Sequence, residues 1–499
     1  MDIFDNLALG FGAALTPLNV GLCFIGALVG TLIGVLPGLG PIATIAILLP
    51  ITFSLDPLGA LIMLAGIYYG AQYGGSTTAI LVNMPGETSS VVTTLDGHQM
   101  ARQGRAGPAL ATAALGSFFA GSVATFLVAL VGPLLAGVAQ AFGPAEYFAL
   151  MVFGLVGATV LASSSILKAV AMIFVGLLLG TVGSDIETGA PRLTFGIPQF
   201  ADGINFTTLA VGLFGVAEIL RNLENPEQRG VLDKPITGLM PTLADIKASI
   251  LPVLRGTGIG SILGILPGNG AVLAPYASYT LEKKLAKDPS RFGKGAIEGV
   301  AGPESANNAG AQTSFIPLLT LGIPPNAVMA MMVGAMTIQG IIPGPNVMNE
   351  RPELFWGMIA SMWIGNAMLV IINLPLIGVW VRLLKVPYRL LYPAVLMFCC
   401  VGVYTVNGSY VDVVMVAVFG LVGYGLLKLG FELAPLLLAF VLGPLMEENL
   451  RRAMLISRGD PMTFLERPIS LGLLLLAAAL LAIVLLPSIR KKRDEAFQE

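Results

Sequence analysis

Residues 30–40 read GTLIGVLPGLG and residues 260–270 read GSILGILPGNG. Gly30, Gly34, Leu36, Pro37, Gly38 and Gly40 recur as Gly260, Gly264, Leu266, Pro267, Gly268 and Gly270. A second block follows in the same order. Gly70-Ala71-Gln72 precedes Pro85, and Gly310-Ala311-Gln312 precedes Pro325, now at an offset of 240 residues instead of 230. The extra residues fall in a charged loop around 283–304. Two ordered blocks at nearly constant offset mark an internal duplication. The chain divides into a first transmembrane repeat over 1–220, a linker over 221–249, and a second repeat over 250–499. The second repeat carries additional C-terminal spans and a basic tail.

Composition sets the solvent. Of 499 residues, 55% are hydrophobic and 11% charged, against about 25% charged in soluble domains. Mean hydropathy is +0.84. So much apolar surface behind so few charges requires a lipid environment. The 61 glycines and 33 prolines suit membrane helices that pack closely and break within the bilayer. The expected fold is an all-α polytopic membrane protein. Several apolar runs are shorter than the roughly 20 residues a crossing needs, and they flank Pro-Gly or Pro-Pro pairs. Counted as re-entrant or broken-helix hairpins, they leave about 12 transmembrane helices. A net charge of −2 gives no footprint for a nucleic acid. His98 is the single histidine, which argues against a His-based triad or a multi-His metal site. The three cysteines show no CxxC spacing. Asp2 and Asp5, with no basic residue beside them, do not resemble a signal-peptide n-region.

The basic residues give the halves opposite directions. Residues 51–60 contain no Lys or Arg, whereas the corresponding connector of the second half holds Lys283, Lys284, Lys287, Arg291 and Lys294. After the second block the pattern reverses: Arg102 and Arg105 follow in the first half, and Arg351 between Glu350 and Glu353 in the second. Under the positive-inside rule this reads as two inverted repeats, an arrangement found in secondary transporters. The rule puts Arg382, Lys385, Arg389 and the tail 490–493 in the cytoplasm. For the mixed-charge loop 447–467 the two criteria disagree: span count puts it outside, and the positive-inside rule argues inside.

The duplicated tips carry the first candidate site: Gly38, Leu39, Gly40 and Pro41, opposite Gly268, Asn269 and Gly270. Proline removes a donor and breaks the helix, and glycine permits the reversal. Freed N–H groups and half-helix N-termini would face a gap near the midplane and attract an anion. No Lys or Arg precedes Arg102, so an anion there would be held by backbone N–H groups and neutral donors. Ser76 and Thr77 in the first half, and Asn307 and Asn308 in the second, are the expected polar substrate contacts; two adjacent amides are costly to bury without partners. Thr78, Asn83, Glu87, Glu304, Gln312, Thr313 and Ser314 are candidates for coupling a cation, Na+ or a proton.

GTLIGVLPGLGPIATIAILLP, YGAQYGGSTTAILVNMPGE, GSILGILPGNGAVLAPYASY and ESANNAGAQTSFIPLLTLGIPPNAVMAMMVGAM resemble the large membrane subunit of tripartite tricarboxylate transporters, the TctA type, over nearly the whole chain. The resemblance implies a bacterial inner-membrane protein with about a dozen spans. It implies a small four-span membrane subunit and a periplasmic substrate-binding protein as partners. It further implies uptake of a small-molecule carboxylate, citrate-like, driven by an ion gradient. No cofactor and no resident metal are expected. A passive anion channel and a stand-alone carrier are the alternative readings. An intramembrane enzyme is disfavoured, because the spans contain neither a GxGD motif nor a histidine.

Overall fold

The computed structural model describes residues 3–36, 40–160, 165–185, 188–224, 238–267, 270–384 and 388–485. The tip residues Gly38, Leu39, Gly268 and Asn269, the linker stretch 225–237, Lys385 and the tail 490–493 lie outside the described residues. The helices are α1 (Ile3–Ala14), α2 (Pro17–Val35), α3 (Pro41–Thr52), α4 (Pro57–Val82), α5 (Ala106–Ala139), α6 (Pro144–Val160), α7 (Ile166–Gly180), α8 (Phe206–Glu224), α9 (Leu243–Ile265), α10 (Gly270–Leu285), α11 (Glu298–Thr313), α12 (Phe315–Leu321), α13 (Ala327–Ile338), α14 (Pro352–Asn373), α15 (Tyr388–Asn407), α16 (Tyr410–Lys428), α17 (Ala434–Ile456) and α18 (Pro468–Leu485), joined by shorter helical turns. Among the described residues the sheet content is one two-stranded pairing, β1 (Gly183–Ser184) with β2 (Pro191–Arg192).

Among the described residues, six helices are long and apolar enough to cross a bilayer: α2, α5, α8, α9, α14 and α16. Seven shorter apolar stretches, including much of α1, α3, α6, α7, α13, α15 and α18, accompany them. Helix α4 has 26 residues, a length of about 39 Å. Its GAQYGGSTT stretch makes it too polar to read as a lipid-facing span, and every residue from Leu58 to Val82 is buried.

The two quoted stretches perform the same packing task. A β-carbon added at Gly26, Gly30 or Gly34 on α2 would collide with the carbonyls of Met63, Ile67 and Ala71 on α4, respectively. On α9, Gly256, Gly260 and Gly264 meet the carbonyls of Gly302, Ala306 and Gly310 on α11 in the same way. Glycine every fourth residue puts bare backbone along one helix face, so the partner helix approaches to backbone contact. The resulting pairs, α2 with α4 and α9 with α11, are the most extensive in the molecule.

The pairs join crosswise. Helix α5 packs along α11, α14 packs on α2, α4 and α5, and α4 touches α11 directly. Helix α3 packs against α13 of the second half, and α10 against the turn Thr88–Ser90 of the first. Asp245, in the first turn of α9, holds Arg105 beside the start of α5 at 2.6 Å.

The region read as a mixed-charge loop is partly helical, since α17 runs through to Ile456. Glu447 pairs with Arg451 at 2.7 Å and Glu448 with Arg452 at 2.5 Å, both at i,i+4 spacing, which favours helix. Arg255, near the middle of α9, lies 2.5 Å from the buried Glu282 of α10.

Candidate functional site

The polar centre is built where α4 meets α11. Both helices are buried throughout the region concerned, so each polar side chain there must find its partner inside the protein. Glu304 of α11 is 1% exposed. Its Oε2 lies 2.5 Å from Ser76 Oγ of α4, and its Oε1 accepts from the Thr93 hydroxyl. Thr93 belongs to a broken helical segment over 88–102, which includes a π-helical turn at Thr94–His98. Ser76 Oγ is also 2.9 Å from the carbonyl oxygen of Gln72.

One turn along, Asn308 donates through Nδ2 to Ser117 Oγ of α5 at 2.6 Å and to the Glu304 carbonyl at 3.2 Å. Asn307 donates to Glu87 Oε1 at 3.2 Å, where the Ser89 hydroxyl also donates at 2.7 Å. Glu87 caps the Thr88–Ser90 turn through a reciprocal arrangement with Ser90. The two carboxylates are therefore linked through α11. Among the described residues no Lys or Arg is paired with either.

A third buried carboxylate, Asp96, has a different environment. It accepts from the backbone N–H groups of Gly295 and Ala296 at 2.7 and 2.8 Å and from the Tyr279 hydroxyl at 2.9 Å. The two N–H donors bind the broken segment to the loop that leads into α11, and Tyr279 binds it to α10.

Beside Glu304 lies a cavity of about 10 Å³, room for roughly one water molecule. Tyr73, Ser76, Thr77, Ser117, Glu304 and Asn373 line its polar side. The Tyr73 hydroxyl and Asn373 Oδ1 are buried and have no hydrogen-bond partner among the described residues. A tricarboxylate does not fit this space; a single small species does.

The structure brings together Ser76, Thr77, Glu87, Glu304, Asn307 and Asn308 of the sequence candidates. It gives others packing tasks. Thr78 Oγ1 is 3.0 Å from the Val35 carbonyl and 3.1 Å from that of Gly74. Ser314 Oγ is 2.7 Å from the Gly310 carbonyl and 3.1 Å from that of Gly264. Thr313 bonds back to Ala309 at 3.0 Å. Asn83 ends α4 in the left-handed conformation, at φ 59°. Gln312, like Gln72 of the first half, has a buried Oε1 without a partner. At the tips, Gly40 is the N-cap of α3 with Pro41 following, and Gly270 opens α10 against the Leu263 carbonyl.

Thr93, Ser117 and Asn373 complete the centre, and the sequence reading did not single them out. Ser117 and Asn373 are isolated polar residues in apolar runs, and Thr93 is one of several hydroxyls in the polar stretch 88–98, so no local pattern distinguishes any of them from a packing residue.

Buried polar helices wrapped by long apolar ones define a multi-pass membrane protein. The comparisons specify the class. The model of the "Tripartite tricarboxylate transporter TctA family" matches residues 20–438, and the chain belongs to that family. It is therefore a membrane subunit of a tricarboxylate transporter that works with further subunits. An uncharacterized 52.8 kDa protein of Agrobacterium vitis, from the TAR-I ttuC' 3' region, is 62% identical over 499 residues, covering 100% of this chain and 99% of its own length. A second uncharacterized A. vitis protein, from the TAR-II ttuC' 3' region, is 61% identical over 240 residues, covering 48% of this chain and 99% of its own length. No solved structure matches.

Proposed function

We propose that this chain is the transport subunit of a binding-protein-dependent secondary transporter in a bacterial inner membrane. It imports di- or tricarboxylates and couples them to an ion gradient by alternating access. A small four-span membrane subunit and a periplasmic substrate-binding protein are its partners. The substrate sits between two inverted halves, near the Gly38–Pro41 and Gly268–Gly270 tips, with Ser76, Thr77, Asn307 and Asn308 as polar contacts.

The observation that carries this reading is Glu304: a buried carboxylate between the two polar helices, partnered among the described residues by hydroxyls and by no cation. A charge in that position is expensive unless it binds something that neutralises it, and a coupling ion does so. Family membership supports the carboxylate substrate. The cavity at Glu304 is too small for that substrate, which favours separate places for ion and carboxylate.

The test is uptake of radiolabelled citrate into proteoliposomes holding the assembled transporter, with the binding protein in the outer solution that stands for the periplasm. Citrate accumulates above its external concentration, and ionophores that collapse the gradients abolish accumulation. Equilibration without accumulation makes the protein a channel. Uptake indifferent to the binding protein makes it a stand-alone carrier. Orientation is tested separately: Pro57→Cys is labelled from the periplasm and Lys287→Cys only from the cytoplasm, and labelling of both from one face removes the inverted arrangement.

A further inference from the structure

We infer that the coupling ion is a proton and that Glu304 carries it; this rests on the transport reading above. The argument starts from a hydrogen count. Ser76 Oγ has one hydrogen but two oxygens within reach, Glu304 Oε2 at 2.5 Å and the Gln72 carbonyl at 2.9 Å. With Glu304 protonated on Oε2, its O–H donates to Ser76 Oγ and the Ser76 hydrogen goes to Gln72. Oε1 meanwhile accepts from Thr93. With Glu304 ionised, the Ser76 hydroxyl turns by one rotamer and donates to Oε2. Both protonation states are thus accommodated by the same heavy-atom frame, differing in a single hydroxyl rotation.

The spacing fits a proton shared between the carboxylate and its hydroxyls. Each carboxylate oxygen already stands at direct O–H···O distance from a hydroxyl, so a metal ion bridging carboxylate and hydroxyl would have to push them apart, whereas a proton fits as they stand. The neighbouring amide of Asn308 turns its NH2 group toward Ser117. The species the cavity admits has the size of one water. Tyr73 and Asn373 line that cavity with a hydroxyl and a carbonyl oxygen that lack partners, and both are 4% exposed. A water there delivers the proton: hydronium gives its proton to Glu304 Oε2, and neutral water remains.

Titratable groups face the site from several of the packed elements. Tyr73 comes from α4, Glu87 reaches the site through Asn307, and Asp96 lies one turn beyond Thr93 on the broken segment. On the far side of α11, Glu282 of α10 lies beside Gly302 and is already neutralised by Arg255. From α5 the site receives the uncharged Ser117.

The experiment uses the reconstituted transporter with citrate as probe, in sodium-free buffer, under an imposed pH gradient. The wild type accumulates citrate. Glu304→Gln lowers accumulation at least tenfold, while citrate-for-citrate exchange falls far less. Infrared difference spectroscopy on the purified protein gives a readout without transport. A protonated-carboxyl band that responds to pH is present in the wild type and absent in Glu304→Gln. Thr93→Val, which nearly keeps the side-chain shape, moves the pH at which that band titrates by about one unit. Accumulation driven by a sodium gradient and indifferent to the pH gradient overturns the proton assignment and leaves the transport reading standing. An infrared band unchanged by Glu304→Gln also overturns it. If the wild type neither accumulates nor exchanges citrate, the transport reading fails, and the infrared result decides the proton site by itself.

Discussion

Helix pairs α2–α4 and α9–α11 share a frame and differ in chemistry. Each pair is locked by three glycines at four-residue spacing against three backbone carbonyls. The glycines lie 230 residues apart between the halves, and the carbonyls they meet lie 239 apart. At that second offset, Glu304 corresponds to Ala65, Asn307 to Tyr68 and Asn308 to Tyr69, all buried. Ser76 corresponds to Phe315, whose ring lies 6.0 Å from that of Tyr69. The repeated residues therefore build close helix contact twice. The unmatched residues supply a carboxylate and amides on one helix and hydroxyls on the other, and the site exists where the pairs meet.

The largest effect should come from the shared frame. Gly30→Leu and Gly260→Leu each force a side chain into a partner carbonyl, in a place where neither backbone can withdraw. Each should cost more than about 3 kcal/mol, read as loss of monodisperse protein in detergent. A mild loss in one half with a severe loss in the other would break the equivalence of the two pairs.

A second contrast separates paired from unpaired buried acids. Arg255→Met leaves Glu282, whose side chain is 2% exposed, without its cation and should destabilise by about 3–5 kcal/mol. Adding Glu282→Leu should restore most of that stability. Glu304→Gln, with no cation to strand, should change thermal stability by about 1 kcal/mol or less, even though accumulation collapses. If Glu304→Gln unfolds the protein as severely as Arg255→Met does, the distinction between a structural and a functional carboxylate fails.

The smallest effects are expected where hydroxyls bridge helix backbones. Thr78→Val and Ser314→Ala should each lose about 0.5–1 kcal/mol and leave citrate accumulation within about twofold of wild type (roughly 0.4 kcal/mol). A strong transport defect in either variant, without unfolding, would move that residue from the frame to the site.

The repeat was legible in the sequence because glycine and proline are irreplaceable where backbones touch or chains reverse. Its register was less so. Matching Gly70-Ala71-Gln72 to Gly310-Ala311-Gln312 gives 240, while the packing equates the Ala71 and Gly310 carbonyls at 239. The left-handed helix ends Asn83 and Gly322 and the N-caps Glu87 and Asn326 keep the same 239. A three-letter match does not feel a one-residue slip, whereas a helix face turns by about 100°. Glu304, Asn307 and Asn308 were visible as polar residues in a buried setting. Ser117 was not, because a lone hydroxyl in an apolar run has no pattern until its distant partner is known, and Thr93 was not, because nothing sets it apart from the neighbouring hydroxyls of 88–94. The helical end of α17 was overlooked because its charges suggested a loop, although their four-residue spacing favours a helix.

Helix α5 has a consequence for the surrounding lipid. Its 34 residues would extend about 51 Å, well beyond the roughly 30 Å of a hydrocarbon core. Its exposed apolar side chains, however, begin at Leu115 and end at Val138, because Ala106 to Ala114 are packed against protein apart from the half-buried Pro108. The lipid-facing stretch is thus about 35 Å long, and a tilt of about 30° matches it to the bilayer. Because α5 also presents Ser117 to Asn308, the thickness of the membrane bears on the inclination of a helix that touches the polar centre. Thinner or thicker lipids should therefore tune transport through hydrophobic mismatch, without any change in the protein's own residues.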